Sequence, residues 1–145
     1  MDAAQGCFIA GTVVLMAAGG LHVAYALTDR VRPTYFAPVE GSVKPAMEGT
    51  TIRLARRFGA TRSMWRIWIG INIGFGLGLF AFGLLCLTIV LEDFDLVERI
   101  DSIRPLSIAF PAAFLAVALR FFFYGPVLIT ASATACFSLA AVLSA

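Results

Sequence analysis

Charge is what this chain is short of. Only 14% of its 145 residues are Asp, Glu, Lys or Arg, against roughly 25% in a soluble domain. Histidine is nearly missing as well. His22 stands alone, which excludes haem ligation by two histidines of one chain. Cys7, Cys86 and Cys136 form no Cys-x-x-Cys pair and fall on three different apolar stretches. That argues against a thiol oxidoreductase of the membrane type and for small apolar core residues. His-Glu-x-x-His, Gly-x-Ser-x-Gly, the phosphate loop of nucleotide hydrolases and the dinucleotide fingerprint are absent, so no conventional catalytic motif is on offer. No carboxylate lies inside a long apolar run, so a carboxylate proton relay has no members. The expectation is a protein that is not an enzyme.

What the chain has instead is long uncharged runs. Ile67–Leu91 is 25 residues without a charge, about 37 Å as a helix, enough for a ~30 Å hydrocarbon core with some tilt. Gln5–Leu27 is a second such run, with His22 inside it. Leu106–Leu119 is too short alone but continues past Arg120 through Phe-Phe-Phe-Tyr, and Val127–Ala145 is apolar throughout. The expected fold is all-α, a transmembrane four-helix bundle forming a single integral membrane domain over 1–145. Its spans fall at about 6–27, 67–91, 103–124 and 127–145, with a long loop at 28–66 and the third turn at Gly125-Pro126. The first run lacks a basic n-region and exceeds the ~7–15 residues of a signal-peptide core, so it reads as a retained helix.

Orientation follows the basic residues flanking the spans. The long loop holds Arg30, Arg32, Lys44, Arg53, Arg56, Arg57, Arg62 and Arg66, and the third turn adds Arg120. The loop near 92–104 offers only Arg99 and Arg104, among five carboxylates. Both termini are therefore expected outside (N-out, C-out), with the long basic loop cytoplasmic, in a bacterial inner membrane. Its net charge of +5 suits anionic headgroups, at about 1 kcal/mol per basic residue near the surface. Nucleic acid is a poor competitor, since no soluble fold presents these residues. The acidic loop lacks the Asp-x-Asp-x-Asp-Gly order of a calcium loop and reads as a solvated rim.

Within the long loop, 29–45 carries three prolines and no periodicity. From Ala46 to Phe58, Met47, Thr51, Leu54 and Phe58 recur at helical spacing while Arg53, Arg56 and Arg57 fall largely off that stripe. This predicts a short interfacial helix, or else a loop helix packed beneath the bundle. Thr61 or Ser63 is placed to cap the second span, and Trp65 and Trp68 suit the aromatic belt at its start.

Gly70, Gly74 and Gly78 repeat at i+4 on the second span, a GxxxG pattern that lets helix backbones approach closely in lipid. Two uses stay open: a partner helix or bound group against this face, or packing among the chain's own helices. His22 lies ~9 Å inside the end of the first span, and Asn72 ~10 Å inside the start of the second. With Arg66, Arg120 and Tyr124 they form a candidate ligand-binding cluster near the inner leaflet, for an anionic headgroup or polar-headed ligand. The competing reading has His22 and Asn72 bonded to each other while the arginines snorkel. Ala18, Gly19 and Gly20 precede His22 and leave room for a flat macrocycle. No metal and no cofactor are expected, with haem or bacteriochlorophyll at His22 as the alternative. Met16 or Met64 would then have to be the second haem ligand.

The stretch Thr61–Gly78 resembles a family of small four-helix bacterial integral membrane proteins of uncharacterised function. The resemblance rests on Gly19-x-x-His22 closing the first span. It rests also on Thr-x-x-Met-Trp-Arg-x-Trp-x-Gly-x-Asn, matched here by Thr61, Met64, Trp65, Arg66, Trp68, Gly70 and Asn72. Members often continue Ser-His-Ser-Leu-Gly, where this chain has Gly74-Phe75-Gly76-Leu77-Gly78. A use of paired histidines would not carry over. The resemblance implies a fold and no activity. The functional expectation is a non-catalytic accessory or structural subunit of a larger membrane complex. A binding or carrier protein for lipid or a hydrophobic small molecule such as a pigment is the alternative.

Overall fold

The computed structural model describes residues 2–53 and 61–144. It is mostly helical, with α1 at Ala3–Val31, α2 at Val43–Gly49, α3 at Met64–Glu92, α4 at Asp95–Arg99, α5 at Ile103–Phe121 and α6 at Tyr124–Leu143. Between α2 and α3 lies a two-stranded antiparallel ribbon, β1 (Thr51–Arg53) with β2 (Thr61–Ser63). α1, α3, α5 and α6 are each long and apolar enough to cross a membrane. Only 17–28% of the most apolar stretch of each is buried. Leaving such faces in water would forgo roughly 25 cal/mol per Å² of apolar surface, whereas a hydrocarbon surround removes that cost.

The helix boundaries have local causes. The Asp2 carboxylate accepts the Gln5 backbone N–H at 2.7 Å, capping α1. Ser63 does the same for α3 through the Arg66 N–H at 3.4 Å. The third turn falls at Phe122-Phe123, both extended, and not at Gly125-Pro126. Pro126 sits in the first turn of α6, where its missing N–H would have had no intrahelical partner. Tyr124 accordingly opens α6 and does not close the preceding helix.

Of the range Ala46 to Phe58 expected to be helical, the described part is helical only as far as Gly49. α2 stops at Gly49 and the β-branched pair Thr51-Ile52 enters β1, paired Thr51↔Ser63 and Ile52↔Arg62. Leu54, Arg56, Arg57 and Phe58 lie outside the described residues.

The chain forms two compact units, one of Met1–Ala18 with Leu79–Ala145 and one of Gly19–Gly78. In the first, Phe8 of α1 meets Phe137 of α6 edge-on at 5.0 Å and Phe94 at 6.3 Å. Phe82 of α3 stacks on Phe110 of α5 at 3.9 Å, and α5 packs along α6. Gly83 lets α3 lie against Thr12 and Met16 of α1. The acidic loop neutralises part of its own charge: Asp93 pairs with Arg99 at 2.5 Å and Glu98 with Arg104 at 3.2 Å. Among the described residues, no group of three His, Cys, Asp or Glu side chains gathers to hold a metal. Cys7, Cys86 and Cys136 are free thiols.

Candidate functional site

The second unit, Gly19–Gly78, holds the end of α1, the start of α3 and the segment between them. Its polar groups form a closed circuit. Asn72 donates its Nδ2–H to the Trp68 carbonyl one turn earlier, at 2.9 Å. This turns Oδ1 towards α1, where it lies 3.1 Å from His22 Nε2. An amide oxygen only accepts, so His22 carries its proton on Nε2 and donates it. The imidazole is flanked by the Phe36 ring at 4.6 Å and the Phe75 ring at 5.0 Å. The Phe36 carbonyl accepts the Trp68 indole N–H at 3.0 Å, and this returns the circuit to Asn72.

Phe36 is held from the other side by Asp29, a residue that sequence inspection passes over as one more loop charge. Its carboxylate is fully buried. Oδ1 accepts the backbone N–H groups of Thr34 at 2.6 Å and Tyr35 at 2.8 Å, and Oδ2 accepts that of Phe36 at 2.5 Å. A carboxylate in the last turn of a helix opposes the helix dipole, and three charge-assisted hydrogen bonds more than offset that. The chain leaving α1 is thereby folded back, and Tyr35 stacks on Tyr25 at 4.1 Å. Nothing in the spacing marks this, because an acceptor five to seven residues before its donors matches no capping pattern.

The five residues of the sequence-derived cluster have different situations. His22 and Asn72 are bonded to each other. Arg66 stands exposed in the first turn of α3. Arg120, in the last turn of α5, lies 5.7 Å from the Phe121 ring. Tyr124 is 74% exposed at the start of α6. Arg120 and Tyr124 belong to the first unit, and His22, Asn72 and Arg66 to the second. A macrocycle at His22 would have to displace Asn72 from Nε2 and one flanking ring. It would also have to displace α3, because the Gly19 carbonyl lies against Gly76.

The glycines of α3 divide into two sets. A methyl group added at Gly76 would meet the Gly19 carbonyl oxygen and Val23 Cγ2 at 2.8 Å, so this position is where α3 rests on α1. At Gly70, Gly74 and Gly78 it would meet nothing within 4 Å. The i+4 stripe therefore faces outward within its unit, and the internal contact runs through glycines off that stripe.

One further feature escapes the sequence reading. Arg30, Glu48, Trp65, Arg66, Ile69, Gly70 and Ile73 line an open cavity of about 550 Å³. Glu48 is held by Lys44 Nζ at 2.6 Å, and Lys44 in turn lies 5.3 Å from the Trp65 ring. No protein family, curated protein or solved structure matches the chain.

Proposed function

We propose that the protein is a non-catalytic structural subunit of a larger bacterial inner-membrane complex. In this reading both termini face outside, the loop at 28–66 is cytoplasmic, and Gly70, Gly74 and Gly78 receive a helix of another subunit. The observation that carries it is the division of the α3 glycines. Gly76 and Gly83 already serve the contact with α1, while the regular stripe is left uncovered with open space over all three positions. In lipid, helix association depends on close backbone approach rather than hydrophobic drive, and such a stripe is what a partner helix needs. Membership of the small four-helix family that Thr61–Asn72 resembles belongs to the same proposal.

The carrier alternative, built on His22, Asn72, Arg66, Arg120 and Tyr124, has less support. His22 and Asn72 already satisfy each other, and the pair reads as the pin that holds α1 to α3 within the second unit.

The test is extraction of the native membrane in a mild detergent, followed by native electrophoresis and mass spectrometry of the band carrying this chain. We expect co-migration with other subunits, and release of the chain by Gly74→Leu, at a position where an added Cβ has nothing within 4 Å. Wild-type chain running by itself at monomer size would overturn the proposal.

A further inference from the structure

We propose that the cavity beside the end of α1 and the start of α3 binds the phosphate of an anionic phospholipid. Arg30 and Arg66 would be its ligands, and Ile69, Gly70 and Ile73 would lie under the first part of an acyl chain. This site does not depend on the subunit role: with the lipid seated at Gly70, a partner helix would lie over Gly74 and Gly78.

The charge is the first argument. Glu48 is the one carboxylate in the cavity wall, and it is engaged by Lys44 at 2.6 Å. Lys44 is itself seated against Trp65, 5.3 Å from the ring centre. Among the described residues, Arg30 and Arg66 take part in no ion pair, so the cavity wall carries two arginines that no carboxylate has engaged. Guanidinium forks match phosphate oxygens two at a time, which makes arginine the residue suited to this ligand.

The second argument is polarity along α3. Arg66 lies in its first turn, whereas Ile69, Gly70 and Ile73 follow at three, four and seven residues, on one side of the helix. The wall therefore changes from cationic to apolar within about 10 Å of helix rise. A free phosphate has no use for that apolar part, but a glycerophospholipid has one end for each. Gly70 adds no side chain, and a Cβ there would meet nothing within 4 Å, so an alkyl chain can lie directly on the backbone.

Size and level agree. The volume of about 550 Å³ falls in the roughly 300–1,000 Å³ range of small-molecule sites. Arg30 and Arg66 stand at the adjoining ends of two helices long enough to span a membrane, the level at which lipid phosphates lie when those helices cross a bilayer. The wall is held in place from behind, because Trp65 is only 7% exposed and the neighbouring Trp68 is bonded to Phe36.

The experiment uses the full chain in a neutral detergent, with native mass spectrometry after addition of phosphatidylglycerol, phosphatidylcholine or inorganic phosphate. One phosphatidylglycerol retained per chain is expected, with phosphatidylcholine retained about tenfold less and inorganic phosphate failing to displace the lipid. Arg30→Gln with Arg66→Gln should lower phosphatidylglycerol retention by roughly tenfold or more. Gly70→Phe, which blocks the apolar wall and leaves every charge in place, should lower it too. Arg53→Gln with Arg62→Gln removes the same charge from the β-ribbon and should leave retention unchanged. Equal loss in that control would mean unspecific attraction to the basic loop and overturn the site. Undiminished retention in both the double-arginine variant and Gly70→Phe would overturn it as well. Full displacement of the lipid by inorganic phosphate would assign the cavity to a free anion and overturn the lipid.

Discussion

Replacing Gly76 by alanine should destabilise the protein, while the same change at Gly74 should not. The two positions are two residues apart and differ by about 200° around α3. At Gly76 the new methyl carbon would lie 2.8 Å from both the Gly19 oxygen and Val23 Cγ2, and 3.0 Å from the Val23 nitrogen. Carbon contacts are optimal at ~3.5–4.0 Å, so α1 and α3 would have to separate locally by about 0.7 Å or more. Two of the three atoms are backbone, and a change of rotamer cannot relieve them. Overpacking of this kind costs about 1–3 kcal/mol, and each ~1.4 kcal/mol lowers the folded-to-unfolded ratio tenfold. At Gly74 the methyl would meet nothing, and alanine is the better helix former by up to ~1 kcal/mol in water. Unfolding by titration of a denaturing detergent into mild micelles, followed by helical circular dichroism, would give both midpoints. Gly76→Ala should unfold at clearly lower denaturant, and Gly74→Ala at the wild-type value or slightly above it. Equal midpoints for the two variants would refute the assignment of Gly76 to the α1 contact.

Other expectations concern the circuit in the second unit. Asp29→Ala leaves three backbone N–H groups without their acceptor and should cost about 2–3 kcal/mol. It should also speed trypsin cleavage after Arg30 in detergent, with Asp29→Asn intermediate; unchanged cleavage would count against the buried carboxylate as an anchor. His22→Phe, Asn72→Leu and the double variant form a thermodynamic cycle whose coupling should lie at about 0.5–2 kcal/mol, the range of hydrogen bonds between membrane helices. A coupling of zero would mean that the 3.1 Å contact carries no energy. Trp68→Phe removes only the indole donor to the Phe36 carbonyl. It should lower stability by about 1 kcal/mol while leaving helix content intact by circular dichroism.

The long helices were legible because length and lack of charge need no knowledge of neighbours. An uncharged run such as Ile67–Leu91 has few other structures open to it, and α3 extends it only by three residues at the start and one at the end. Where a boundary depended on a rule with two readings, the sequence misled. Gly125-Pro126 signals a turn, yet proline is equally at home in the first turn of a helix, and α6 takes it there. Met47 and Thr51 stand at helical spacing, but Gly49 and the β-branched residues after it favour a stop, and Thr51–Arg53 pairs with Thr61–Ser63 instead. The depth argument put His22 and Asn72 at the same level because helical rise is uniform. Which side each faces is a matter of packing, and only coordinates supply their 3.1 Å separation.

The α3 glycines show why function was harder to read than fold. In an amphipathic helix the buried face announces itself, but α3 is apolar all round, and hydrophobicity cannot tell a neighbouring helix from lipid. The i+4 regularity of Gly70, Gly74 and Gly78 marks a smooth face without saying what covers it. The irregular pair Gly76 and Gly83, seven residues apart and so two turns along one face, is what meets α1. Once those two are assigned to internal contact, the regular stripe is released for something else. Gly70 also lines the cavity with Arg30 and Arg66, so the uncovered face begins at a cationic mouth. The circuit from Asp29 through Phe36, Trp68 and Asn72 to His22 lies at that same end of α1 and α3. A site that binds by charge gains from walls fixed before the ligand arrives, since less ordering entropy is then lost on binding. The buried polar residues are thus better understood as supports than as ligands, and Asp29→Ala should weaken phosphatidylglycerol retention although the carboxylate itself repels phosphate. A stronger retention in that variant would show that the charge of Asp29, and not the order it imposes, dominates at the mouth.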